Sequence, residues 1–98
     1  MSWTVEFSGK AAKQVLELPE AIQLIARALV ADLKQFGFSL GPERTGWKNF
    51  GALQGYADTY HCHLKKGRPT YVACWRVADK KWKLIEVFYV GTHEKAPY

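Results

Sequence analysis

The chain has three histidines, all in two short runs, and histidine is the side chain best suited to moving protons near neutral pH. His61 and His63 lie in Tyr60-His61-Cys62-His63-Leu64. His93 lies in Val90-Gly91-Thr92-His93-Glu94-Lys95-Ala96-Pro97-Tyr98. The first run alternates as a strand does, so His61 and His63 share one face while Tyr60, Cys62 and Leu64 face a core. A basic hairpin with Lys65, Lys66 and Arg68 follows directly, and Lys48 stands among the apolar residues Trp47, Phe50 and Leu53.

A His-x-His pair on a strand admits three readings. It could bind a metal, with His93 or a cysteine as third ligand. Cys62 points to the other face, however, and no cluster of Asp or Glu accompanies the pair, so no metal and no other cofactor is expected. The pair could also be two exposed strand histidines without a role. The third reading is an acid–base or phosphate-binding pair on a basic surface.

Positioning such a pair requires a sheet with a backing. Trp3–Phe7 alternates apolar and polar residues and is expected to form a strand. Ser8 can cap a helix from Gly9 to Leu18, with Val15, Leu16 and Leu18 as apolar contacts. Pro19 ends that helix and can start a second. There Ile22, Ile25, Ala26, Leu29, Leu33 and Phe36 form one amphipathic stripe, with Gly37 as the stop. Gly41, Pro42, Gly46, Gly51 and Gly55 mark Phe38–Gly55 as a loop packed down by Trp47, Phe50 and Leu53. Three strands follow, expected at Thr59–Lys65, Thr70–Val77 and Trp82–Val90, with turns at Lys66–Pro69 and Ala78–Lys81. Such short connections favour antiparallel pairing. The expected fold is α+β, in the order β-α-α-β-β-β, with two N-terminal helices packed on a small, twisted, mainly antiparallel sheet. Trp47, Trp75, Trp82 and Phe88 are expected mostly in the core, although any could stack on a base.

Length and composition bound the function. At 98 residues, 48% of them apolar, the chain suits one domain over residues 1–98 and is too hydrophobic to be disordered. No apolar run approaches the ~20 residues of a membrane span. The N-terminal residues lack the charged and apolar regions of a signal peptide, so a cytoplasmic protein is expected. The formal charge of +5 suits either a polyanion or an acidic protein as partner. Cys62 and Cys74 have no CxxC spacing and are read as buried free thiols.

Certain residues carry a resemblance. The element order, Leu53-x-Gly55-Tyr56 before the first hairpin, and Glu86-Val87-x-x-Val90-Gly91-Thr92-His93-Glu94 with a closing Tyr98 together resemble the RelE/ParE superfamily of type II toxin–antitoxin toxins. The likeness extends over nearly the whole chain, and the C-terminal Val-Gly-x-His/Arg-Glu…Tyr pattern is its most specific part. In the RelE branch it implies a small basic ribonuclease that cuts mRNA in the ribosomal A site without a metal. The family's catalytic positions fall on His61, His63, His93 and Tyr98. Lys48, Lys65, Lys66, Arg68 and Arg76 would hold the RNA backbone. The early second-strand arginine of the family falls on Val72, so Arg68 or Arg76 would have to replace it, and histidines stand where the family has a lysine pair. The implied partners are a cognate antitoxin, the ribosome and mRNA, with promoter DNA reached only through a toxin–antitoxin complex. Two alternatives remain open: a ParE-like toxin that poisons DNA gyrase by binding it, and a catalytically degenerate relative that keeps antitoxin or RNA binding.

Overall fold

The structure, a computed structural model, describes residues 3–37 and 47–98. The turns expected around Gly41, Pro42 and Gly46 lie outside them. In chain order the elements are β1 (Thr4–Phe7), α1 (Gly9–Leu16), α2 (Glu20–Phe36), β2 (Lys48–Ala52), β3 (Thr59–Lys65), β4 (Tyr71–Asp79) and β5 (Leu84–Thr92), followed by a short 3₁₀ turn at His93–Lys95. The sheet runs β1-β5-β4-β3-β2; β1 is parallel to β5 and every other pair is antiparallel. Two helices on a mixed five-stranded sheet give the α+β class expected from the sequence.

Local chemistry sets the helix ends. Ser8 Oγ accepts the Ala11 N–H at 3.1 Å and caps α1. At the other end the Glu17 and Leu18 amides donate to Gln14 and Val15 three residues back, which tightens the chain before Pro19 and ends α1 at Leu16 rather than Leu18. Leu16, expected to be a core contact, is 77% exposed instead. The Pro19 carbonyl accepts the Ile22 and Gln23 amides and opens α2. Ile22, Ala26, Leu29 and Leu33 are then buried along one face of α2, with Ile25 and Phe36 packed at the edge. Gly37 follows at φ 59°, a conformation that costs glycine little, and the Trp3 indole occupies the space a side chain there would need.

The principal core lies between the helices and one sheet face: Cys62 and Leu64 from β3, Ala73, Trp75 and Val77 from β4, and Ile85, Val87 and Val90 from β5. A smaller buried cluster of Val72, Cys74 and Tyr89 lies on the opposite face, with Phe88 and Ala96 packed against it. Both faces of the central strands are therefore covered, as their continuous apolar sequence requires.

Two expectations about strands are corrected. Lys48–Ala52, read as loop, is an edge strand paired with β3. Its Asn and Gly are poor strand formers, and Asn49 takes φ 50° at a bulge that sets two residues of β2, Asn49 and Phe50, against Cys62 of β3. The last strand starts at Leu84 instead of Trp82, because the Asp79 carboxylate accepts the Trp82 N–H at 3.0 Å and Lys83 takes φ 54°, holding residues 80–83 in a turn. Trp82 is consequently 73% exposed rather than in the core.

Candidate active site

β3 carries His61 and His63 to the sheet face away from the helices, opposite Cys74 and Val72 of β4. The chain after β5 folds back over this same face. Its path is held at three places. The His93 N–H donates to the Thr70 carbonyl at 2.8 Å, tying the tail to the β3–β4 hairpin. The Tyr89 hydroxyl donates to the Thr92 carbonyl at 2.6 Å. Ala96 packs on the Val72–Cys74–Tyr89 cluster. Gly91 makes the second of these possible, since a Cβ there would lie 2.8 Å from the Tyr89 hydroxyl.

The result is a row of four rings. Tyr98 stacks on His61 with centroids 4.4 Å apart and planes at 28°. His93 meets Tyr98 edge-on at 5.7 Å, and His63 meets His93 edge-on at 5.5 Å. All four residues that the sequence nominated for chemistry therefore come together. His63 and His93 open onto a groove of about 640 Å³ whose other walls are Gly67, Arg68, Pro69, Thr70 and Glu94. The hairpin wall is braced by Thr70, whose hydroxyl takes the Gly67 N–H at 3.2 Å and donates to the Gly67 carbonyl at 3.0 Å.

The ring nitrogens have different surroundings. His61 Nδ1 is buried and has no hydrogen-bond partner. Its Nε2 edge lies over Gly51, where a Cβ would be 3.4 Å away. Burial lowers the His61 pKa from its ordinary 6.5, and the neighbouring charges of His63 and His93 lower it further. His63 is lowered by partial burial first, then by His93 and Lys66. It also has a partner that the sequence reading did not name: the Asn49 amide nitrogen lies 3.3 Å from each of its ring nitrogens. Asn49 reaches there because of its left-handed backbone at the β2 bulge, and no motif in the sequence marks that bulge. Tyr98 is 44% exposed, and burial pushes its phenol up to about 12, so it is protonated at neutral pH.

Not every basic residue nominated is in the groove. Arg68 lines it, Lys66 is close enough to bear on His63, and Lys48 is paired opposite His63 across β2 and β3. Lys65 does not line the groove; it lines an adjoining hollow of about 290 Å³ on the other side of the hairpin, which Lys66 and Arg68 also line. Arg76 is set apart, with its Nε donating to Glu86 at 2.9 Å. Val72 is fully buried beneath the site face and contributes no polar group. Among the described residues no group of three or more His, Cys, Asp or Glu is arranged to hold a metal ion.

The fold has known structural counterparts. The class is that of the RelE toxin fold. A double arginine-to-alanine variant of the Escherichia coli toxin RelE in the free state superposes with a TM-score of 0.68 at 19% identity, over 96% of this chain and 86% of that one. The RelE chain of the archaeal RelE–RelB complex from Pyrococcus horikoshii gives 0.66 at 18% identity, over 98% of this chain and 100% of that one. A metal-bound toxin from Helicobacter pylori gives 0.60 at 20% identity, over 96% and 97% of the two chains. No family model and no curated protein sequence matches the chain. At these identities the likeness is one of fold.

Proposed function

We propose that this chain is the toxin of a type II toxin–antitoxin module, a ribosome-dependent, metal-independent endoribonuclease that cleaves mRNA and so inhibits translation in the cytoplasm. One observation carries the reading: on a RelE fold, His63 and His93 meet edge-on, ring centres 5.5 Å apart, at the mouth of a groove walled by Arg68. RNA cleavage of this type needs a base to take the 2′-OH proton, a cation beside the charged phosphorane, and an acid to protonate the departing 5′-oxygen. The 2′-oxygen attacks phosphorus, the bond to the 5′-oxygen breaks, and a 2′,3′-cyclic phosphate and a 5′-hydroxyl result.

His63 suits the base. Its lowered pKa keeps the imidazole neutral at pH 7, and Asn49 steadies the ring. His93, held to Thr70 through its own amide, is the complementary acid. Arg68 takes the role of the missing second-strand arginine, because it lines the groove whereas Arg76 is engaged with Glu86. Lys66 and Lys48 add backbone attraction. His61 serves mainly as the platform under Tyr98, which stacks on a base or passes a hydrogen bond to the substrate. A cognate antitoxin, like the partner in the RelE–RelB structure, would bind and silence the toxin.

The test is cleavage of mRNA on programmed ribosomes, read by primer extension. His63→Ala and His93→Ala should each slow cleavage by about 10²–10⁴-fold. Undiminished cleavage in both variants would remove the histidine mechanism. If the unmodified protein arrests DNA replication while translation continues, the gyrase-directed alternative replaces this one.

A further inference from the structure

The end of the sheet remote from the groove has its own chemistry. β4 starts at Tyr71 beside the groove and ends at Asp79, so its nine residues separate the two ends by about 25 Å at ~3.3 Å per residue. At the far end, the turn after β4 reads Lys80-Lys81-Trp82-Lys83, with three of the chain's fourteen basic residues in four positions. Asp79 turns its carboxylate inward onto the Trp82 N–H, while the Trp82 indole stays 73% exposed with the Lys81 ammonium 5.5 Å from its ring. Lys83 holds φ 54°, a place where glycine or asparagine would sit with less strain. The β2–β3 turn adjoins it through an ion pair of Lys80 with Asp58 at 3.4 Å, and that turn presents Tyr56, 65% exposed.

A large ring left in water, with the Lys81 ammonium beside it and Lys83 next in the chain, matches an unpaired nucleobase between phosphates. The base would stack on the indole face, and Lys81 and Lys83 would meet the phosphates. An apolar protein partner would leave the lysines without counter-charges. We propose that the Lys80–Lys83 turn is a second nucleic-acid site, which holds an unpaired nucleotide of a polyanionic strand independently of the histidine groove. That the strand is RNA rather than DNA rests on the proposed function; the stacking site itself does not.

The experiment uses the full chain and a fluorescein-labelled 12-nucleotide single-stranded RNA of mixed sequence. The same sequence as DNA and as a blunt RNA duplex are the other probes. Binding is read by anisotropy, and Trp82 by acrylamide quenching. The single strands should bind and shield Trp82, whereas the duplex, with no unpaired base, should not. Trp82→Ala should weaken single-strand binding by about tenfold and Trp82→Phe should recover most of that. Lys83→Gly, which relieves the backbone while removing the charge, should flatten the slope of log affinity against log salt by about 0.7. Arg27→Ala, on the helix side and outside both sites, should bind like the parent protein, and because binding is read here without ribosomes or cleavage, a failed nuclease reading and a failed binding site give different results. Parental affinity in both Trp82→Ala and Lys83→Gly overturns the proposal. So does shielding of Trp82 by self-association without RNA, or by anionic phosphatidylserine vesicles when RNA gives none.

Discussion

His61 and His63 lie two residues apart on one strand face, yet their surroundings make them different acids. The Nδ1 of His61 is buried without a partner, so protonating that nitrogen would strand a buried donor. His63 meets an amide and an open groove. Both pKa values lie below 6.5 in the folded protein. Between the folded and unfolded values the unfolded chain binds more protons, so stability rises with pH there. The contribution is complete above about pH 6.5 and is lost as pH falls below it. The urea midpoint should therefore drop between pH 7 and pH 5, and the drop should be shallower in His61→Gln. A midpoint indifferent to pH in that window, or NMR titrations with both imidazoles at 6.5 or above, would refute this. Residue type nominated the three histidines and the family resemblance added Tyr98, but no sequence pattern could disclose which histidine nitrogen is buried.

At the scale of elements, the helices do more than back the sheet. β1 ends at Phe7, with the Ser8 amide donating to the Val87 carbonyl, so beyond that point β5 has no neighbouring strand on that side. The Val90 N–H would be orphaned there, but Gln14 Oε1 of α1 accepts it at 3.0 Å. Val90 opens the segment that carries Gly91, Thr92 and His93, so α1 helps hold the tail in place. Gln14→Leu keeps the bulk and removes the acceptor, and should cost about 1–3 kcal/mol in urea unfolding. Gln14→Glu keeps an acceptor and should cost less; equal losses would point to packing instead of the hydrogen bond. The helix stripe and β3 were legible in sequence because their signals are periodic and local; Thr59–Lys65 agrees residue for residue. β2 was not, since its pairing depends on a partner strand beyond the next turn and on an asparagine in a left-handed conformation. The exposure of Trp82 escaped for a related reason. Apolar character suggested core, whereas the Asp79 cap moved the start of β5 past it.

Across the whole molecule, the sheet separates two buried layers, and one free thiol lies in each. Cys62 is in the helix-side core and Cys74 in the thin layer under the tail; both are fully buried, with burial pushing their thiols up to about 12. Neither should react with a disulfide reagent such as DTNB while its layer is closed. The tail lies over the thin layer through a few contacts, whereas the helices close the larger one. Single-cysteine variants Cys62→Ala and Cys74→Ala should therefore label at different rates, with Cys74 faster and Cys62 tracking global unfolding. Equal rates for the two would mean that tail and core open together. The cysteines, inert in the proposed chemistry, thus act as two clocks on opposite sides of one sheet. One times how often the tail lifts away from the site, and the other times how often the whole fold comes apart.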